Sequence, residues 1–216
     1  MAIVCGIDEA GKGCIIGNLV ICGVLIDEKS SDKLRNIGVK DSKLLTSKQR
    51  ENLFPKIKEI IADYKIIQVQ PAEIDNAVDS EEGMNLNWLE AEKTADIINY
   101  LNPDKSFVDC PSTNIVNYTN YLKKLLKSNT DLKCVHHGEI KFIEIAAASV
   151  LAKVTRDKEI EKIKDKYKID FGSGYTSDPK TQKFLKENLD KYPGIIRKSW
   201  STYKTLKNKQ SSLSDF

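Results

Sequence analysis

The first 26 residues constrain this chain most. Two short β-branched runs, AIVCGI (2–7) and LVICGVLI (19–26), are bounded by glycines and joined by the turn DEAGKGCIIG. Runs of this length and branching read as buried strands. The turn puts two acids at the end of the first strand and a glycine–lysine–glycine triplet straight after them. YKIIQVQ (64–70) alternates like a third strand and stops at Pro71, which suits the first turn of a short helix. SFVD (106–109) and LKCVH (132–136) read as two further strands.

Helical patterns fill the spaces between. Thr46 and Gln49 make a capping box for a helix to about Asp63, with Pro55 expected to kink or interrupt it. Trp88, Leu89, Ala91, Ala95, Ile97, Ile98 and Leu101 follow helical spacing over 87–101. Further helices are predicted over 113–127 and 142–166, and from Asp178-Pro179 to about Lys191. Three strands followed by strands alternating with helices predict an α/β fold built on a mixed sheet. The stretch from about 160 to 205 reads as a helical subdomain packed on it, and KNKQSSLSDF as a polar tail.

Composition removes several classes. Thirty-four basic and 31 acidic residues leave a net charge of +3, which excludes a histone-like polycation and an acidic solvating protein. A nucleic-acid surface must therefore be local. No apolar run nears the ~20 residues that span a bilayer, and Asp8 and Glu9 stand where a signal peptide would be apolar. Five cysteines without a CxxC pair argue against a disulfide scaffold or zinc ribbon. A soluble cytoplasmic monomer, away from membranes, is the expectation.

Four acids fall beside predicted strand ends: Asp8, Glu9, Asp109 and Glu139. Strand ends of an α/β sheet converge on one edge, where ligands bind. Carboxylates meeting there repel unless a cation neutralises them, and oxygen-only ligands favour Mg²⁺ or Mn²⁺. Two such ions about 3.5–4 Å apart can activate water and stabilise a leaving oxygen in phosphodiester cleavage. Gly11, Lys12 and Gly13 allow close backbone approach and can form an anion nest. Ser42 and Lys43 lie in a loop that can hold a phosphate or merely solvate a turn. Ser149 and Lys153 stand one helical turn apart, and Tyr175 sits in the glycine-flanked loop GSGYTSDP as a packed residue or a stacking platform. Arg197 to Lys209 carries five basic residues and no acid, interleaved with Trp200 and Tyr203, a pattern that suits a nucleic-acid backbone or a solvated face.

In order, GIDEAGKG (6–13), KDSKLL (40–45), FVDCP (107–111), HHGE (136–139), AAASVLAKVTRD (146–157) and GSGYTSDP (172–179) resemble ribonuclease HII of the archaeal type. The resemblance implies a ribonuclease-H-like mixed sheet flanked by helices, with a C-terminal helical extension. It divides the chain into a catalytic domain (1–160), a substrate-binding extension (161–205) and a flexible tail (206–216). It implies metal-dependent cleavage of RNA in RNA–DNA hybrids and 5′ to ribonucleotides embedded in duplex DNA, leaving 3′-hydroxyl and 5′-phosphate ends. By position, it makes Asp8, Glu9, Asp109 and Glu139 the catalytic carboxylates and metal ligands. Gly11, Lys12 and Gly13 become the loop that reads the ribose 2′-hydroxyl, and Tyr175 the residue that stacks at the ribonucleotide–deoxynucleotide junction. Ser42, Lys43 and Lys153 join them as substrate contacts.

Three positions depart from the family pattern: Lys12 for arginine, Cys14 for proline and Glu139 for aspartate. A point charge replaces a planar fork at the first. At the third, a methylene shifts the carboxylate by about 1.5 Å. That substitution keeps a second reading open, a hybrid-binding protein with weakened cleavage. Ribonuclease HIII carries an extra N-terminal substrate-binding domain, for which a motif starting at residue 6 leaves no room. Finally, Gln210, Leu213 and Phe216 resemble a shortened sliding-clamp-binding box, in which one 3₁₀-like turn would bring Leu213 and Phe216 to the same side.

Overall fold

The computed structural model describes residues 2–81 and 83–214, and the side chains of these residues as far as Gln210. Strands β1 (Ile3–Ala10), β2 (Leu19–Asp27), β3 (Asp63–Val69), β4 (Lys105–Asp109) and β5 (Asp131–Val135) form one sheet in the order β3-β2-β1-β4-β5. β1 runs antiparallel to β2, from Ile3 opposite Asp27 to Ala10 opposite Val20. It runs parallel to β4, and β4 runs parallel to β5. The mixed five-stranded sheet is the one the sequence predicts. The helices are α1 (Ser31–Asn36), α2 (Ser47–Ile60), α3 (Pro71–Val78), α4 (Leu86–Leu101), α5 (Ile115–Leu125), α6 (Gly138–Lys141), α7 (Ile143–Tyr167), α8 (Pro179–Asn188) and α9 (Ser201–Ser214).

Compactness divides the chain into two interleaved units rather than at one point near residue 160. One contains Met1–Ala10, Val20–Gln68 and Asn87–Thr155; the other contains Gly11–Leu19, Val69–Leu86 and Arg156–Phe216. In the first unit, side chains alternate across β1 with a period of two. Val4 belongs to a core with Val20, Cys22, Val24 and Ile26 of β2 and Ala146, Ala147, Val150 and Leu151 of α7. Gly6 shares that face. A Cβ there would lie 2.2 Å from the backbone carbonyl carbon of Glu144, so glycine is what lets α7 lie against β1. On the opposite face, a Cβ on Gly23 would meet Ile97 of α4 at 2.3 Å, with Ile7 of β1 alongside. Helices thus cover both faces.

Pro55 does not interrupt α2. A proline inside a helix costs about 3 kcal/mol. Leu53 and Ile57, buried on either side of it, hold the helix to the core, and the Thr46–Gln49 capping box fixes its start.

The second unit has its own core of Ile15, Ile16, Phe171, Phe184, Leu185, Ile195 and Ile196. Thr181 ties it internally, donating to the Phe171 carbonyl at 2.7 Å and accepting from the Gly174 amide at 3.1 Å. Residues 206–214, expected as tail, are helical to Ser214. No glycine or proline breaks this stretch, and Lys204 and Lys207 anchor it to Asp79 and Asp190 at 2.8 and 2.7 Å. Gln210 and Leu213 therefore sit on an α-helix, while Phe216, and with it the 3₁₀-like turn expected from Leu213 to Phe216, lies outside the described residues. Among the described residues, no helix is long and apolar enough to cross a membrane.

The tight approach at Gly6 is directly testable. Gly6→Ala is expected to lower the melting temperature by about 5–10 °C through overpacking against α7. Gly194→Ala, where a Cβ meets no atom within 4 Å, is expected to shift it by no more than about 2 °C. Thermal denaturation of the two variants beside wild type checks both.

Candidate active site and substrate loop

The parallel pairing of Ile7 with Val108 leaves Asp8 and Asp109 as the next residues of neighbouring strands. Asp8 is 7% exposed and shares the α7 face with Val4 and Gly6. Burial pushes its carboxyl up to about 6. Lys153 and a hydrogen bond from Ser149 pull the other way, while Asp109 pushes it further up. Asp8 Oδ1 also accepts the Glu9 amide at 2.7 Å. Glu9 falls on the opposite face by strand alternation, and its charge acts there on the buried Tyr118 of α5.

Ser149 organises the α7 side. Lys153 Nζ donates to Ser149 Oγ at 2.8 Å, and Ser42 Oγ lies 2.9 Å from the same oxygen. With Lys153 and Ser42 as donors, the Ser149 hydroxyl keeps its proton for Asp8. Ser42 is fully buried, so its partner is this internal chain of hydroxyls rather than solvent.

Asp109 ends β4, and its Oδ1 accepts the Gly138 amide at 3.0 Å, which fixes the start of α6 beside it. Burial raises its pKa; the Gly138 hydrogen bond opposes this, and the neighbouring Glu139 adds to it. Glu139 itself lies in the first turn of α6, which His137 enters with a left-handed backbone (φ 56°). Lys43 Nζ contacts Glu139 Oε1 at 2.6 Å. Burial pushes the Glu139 carboxyl up, yet Lys43 and the surrounding hydrogen bonds outweigh it and hold it below the usual carboxylate range. The same bond raises the pKa of Lys43. Lys43, expected as a phosphate contact, is thus the counter-ion of Glu139.

These carboxylates fit a divalent cation. Asp109 raises the proton affinity of Asp8, Glu139 raises that of Asp109, and Glu139 Oε2 is buried without a hydrogen-bond donor. A cation would remove both penalties, and an all-oxygen donor set suits Mg²⁺ or Mn²⁺. Among the described residues, however, no three of the histidine, cysteine, aspartate and glutamate side chains already form a metal cage.

The glycine–lysine–glycine loop belongs to the second unit, as does Tyr175. Gly11 has φ 88°, a conformation glycine adopts without strain. Gly13 is exposed, and a Cβ there would meet nothing within 4 Å. The loop is joined to Tyr175 by a bridge between Cys14 and Tyr175 and by the Ile15 amide donating to the Gly174 carbonyl at 2.9 Å. The Arg156 guanidinium lies 5.0 Å from the centroid of the Tyr175 ring, and its Nη2 sits 3.0 Å from Cys14 Sγ. The ring is 39% exposed. Burial and the Cys14 thiol push the Tyr175 hydroxyl up to about 12.

The basic stretch 197–209 is not the open patch its composition suggests. Arg197 is fully buried and Tyr203 nearly so, while Lys204 and Lys207 are ion-paired. The burial of Arg197 and the role of Arg156 escape sequence reading, because both rest on backbone carbonyls and a thiol brought in by folding.

Comparison with known proteins agrees with this architecture. The ribonuclease HII family profile matches residues 5–203. Ribonuclease HII of Pyrococcus furiosus is 44% identical over 217 aligned residues, covering 96% of this chain and 94% of the relative. The crystal structure of ribonuclease H2 from Pyrococcus horikoshii OT3 superposes with a TM-score of 0.86 at 43% identity, over 96% of this chain and 98% of the other. The ribonuclease HII solved in complex with PCNA from Archaeoglobus fulgidus gives a TM-score of 0.82 at 37% identity, over 92% and 95% of the two chains. On a profile match and relatives that both span nearly its whole length, the chain belongs to the ribonuclease HII family of ribonuclease H endonucleases.

Proposed function

We propose that this ribonuclease H incises 5′ to ribonucleotides, in RNA–DNA hybrids and embedded in duplex DNA, and leaves 3′-hydroxyl and 5′-phosphate ends. The observation that carries the reading is the group of Asp8, Asp109 and Glu139, carboxylates whose burial is relieved by a divalent cation. Asp8, Asp109 and Glu139 would hold Mg²⁺ or Mn²⁺, and Glu9, on the other face of β1, would join them only by reaching round the end of the strand. Two such ions, when bound, supply activation of the attacking water and stabilisation of the leaving oxygen.

The chain's own residues have separable tasks. Ser149, held by Lys153 and Ser42, orients Asp8. Lys43 keeps Glu139 ionised. Gly11, Lys12 and Gly13 take the ribose 2′-hydroxyl, a group whose absence would leave the loop's donors covered by the substrate but unpaired, and so reject DNA. Tyr175 offers a half-exposed ring for stacking at the junction. Gln210 and Leu213 both lie on α9. With Phe216 they are proposed to engage a sliding clamp, a reading supported by the relative solved in complex with PCNA.

The decisive assay is a duplex carrying one ribonucleotide beside an all-DNA control. Cleavage is expected 5′ to the ribonucleotide, only with Mg²⁺ or Mn²⁺, and not in the control. Glu139→Gln is expected to slow it at least about tenfold, with Glu139→Asp close to wild type. Metal-independent cutting, or wild-type turnover by Glu139→Gln, would count against the assignment.

Asp8 gives a pH-dependent stability. Its folded pKa, about 6, lies above the ordinary aspartate value of 3.8. The protonated form is therefore favoured by folding, and stability falls as pH rises from about 4 to 6 and stays reduced above it. In EDTA at pH 8, Asp8→Asn is expected to be more stable than wild type by the order of 1–3 kcal/mol, while losing activity. Added Mn²⁺ should raise the melting temperature of wild type more than that of the variant. Thermal melts at pH 4 and 8, with and without metal, read this out.

For the tail, removal of residues 210–216 is expected to leave oligonucleotide cleavage unchanged and to abolish capture by an immobilised clamp. A truncated protein that is still captured would refute the clamp role.

A further inference from the structure

Arg197 makes an unusual set of bonds for a cationic side chain with no exposed surface. Among the described residues it forms no ion pair, although the charge of Asp75 acts on it. Its Nη2 donates to the Gly11 carbonyl at 2.8 Å, its Nη1 to the Lys12 carbonyl at 2.8 Å, and its Nε to the Gly17 carbonyl at 3.0 Å. Both ends of the segment 11–17 are therefore held by one rigid fork. The Trp200 ring lies 4.9 Å from the guanidinium carbon, at cation–π range, and restricts its plane. The Arg197 backbone is fixed too. Its amide donates to the Ile15 carbonyl at 2.9 Å, and Ile16 bridges Ile196. The next two amides, of Lys198 and Ser199, both donate to the Asp75 carboxylate at 2.9 Å.

The peptide geometry turns this grip into a direction. In a planar trans peptide the C=O and N–H point to opposite sides. Carbonyls of Gly11 and Lys12 pulled towards one guanidinium leave the following amides, of Lys12 and Gly13, directed away from it. Gly13 is exposed there with open space around its Cα. Successive amides aimed to one side are what an anion or hydroxyl ligand needs.

We propose that Arg197 is the positioning residue of the substrate loop, gripping the carbonyls of Gly11, Lys12 and Gly17 so that the amides of Lys12 and Gly13 are presented, already oriented, to the ribose 2′-hydroxyl. The inference rests on the reading of residues 11–13 as the ribose-recognising loop, and adds what orders that loop. It also bears on Lys12, which stands where arginine is usual. The Lys12 carbonyl is clamped whatever its side chain does, so recognition through the backbone does not require the missing fork. Lysine at 197 would bring one ammonium to three carbonyls in three directions and fill the role only in part.

The experiment compares wild type, Arg197→Met, Arg197→Lys and a control, Phe184→Leu, which loosens the core of the same unit at its ring contacts with Phe171 and Tyr192 and leaves the three Arg197 bonds in place. Binding is measured in EDTA, where no cleavage occurs, to a duplex with one ribonucleotide and to the same duplex in all-DNA form. Amide hydrogen exchange is followed at residues 11–14. The preference for the ribonucleotide duplex is expected to fall about tenfold in Arg197→Met and by less in Arg197→Lys, with exchange at Lys12 and Gly13 accelerated in the same order. Phe184→Leu should lower the melting temperature with the preference intact. Arg197→Met at the wild-type preference with wild-type exchange would overturn the proposal, as would an equal loss of preference in Phe184→Leu. If Arg197→Met does not fold, Arg197→Lys decides by the same two readouts. A wild-type protein that shows no preference would overturn the 2′-hydroxyl reading itself, before any variant is made.

Discussion

The parallel pairing of β1 with β4 sets two aspartates on adjacent strand ends, and much of the catalytic unit answers the repulsion this creates. Asp109 raises the proton affinity of Asp8 and Glu139 that of Asp109, in each case on top of a larger contribution from burial. An apolar replacement would fold better at neutral pH. What the unit supplies instead is partial compensation: the Glu9 amide and Ser149 hydroxyl for Asp8, and the Gly138 amide for Asp109. Hydrogen bonds to an ionised group are each worth roughly 1.5–3 kcal/mol. They hold the carboxylates in place without cancelling their charge, and the remaining deficit is what a divalent cation would remove.

Glu139 shows how the surroundings absorb a change of ligand length. The side chain starts from a helical turn rather than a strand end, and that turn is fixed to Asp109 through the Gly138 amide. Its carboxylate is then aimed by Lys43 at 2.6 Å, leaving Oε2 buried without a donor. Lys43 is largely exposed and Glu139 is not, so the lysine loses little hydration in forming the pair. The longer residue is therefore held by a hydrogen-bonded pair of its own. This is a specific reason to treat it as a working ligand rather than a damaged one.

The sheet was legible because its signals are local and redundant. β-branched runs, glycine boundaries and a capping box each identify an element without knowledge of the others. The places of Asp8, Glu9, Asp109 and Tyr175 are legible because they stand at strand ends or in a glycine-flanked turn, where side chains have few structural duties. The interruption expected at Pro55 does not occur because its penalty is local and the burial of Leu53 and Ile57 that outweighs it is not. Ser42 and Lys43 read as a loop that holds a phosphate or solvates a turn, because their partners Ser149 and Glu139 are 107 and 96 residues away. The interleaving of the two units escapes a linear reading for the same reason, since Gly11–Leu19 and Val69–Leu86 join the C-terminal region only through tertiary packing.

Arg197 carries that limit furthest. In sequence it is the first residue of a basic run, and charge counting assigns such a run to solvent or to nucleic acid. Charge is not its main asset here. Three of its donors meet neutral carbonyls, and burial lowers its pKa to about 10, which still leaves the group ionised at neutral pH. A neutral side chain of similar length could fill the space, but none offers three donors in one plane. The cost of keeping a cation there is met by carbonyl dipoles and by the Trp200 face, and both are exact in direction only while residues 11–17 keep their present path. The arginine and the loop therefore specify each other. Such mutual dependence suits recognition of a small hydroxyl, because a loop that must be ordered on binding would give up affinity that an ordered one keeps.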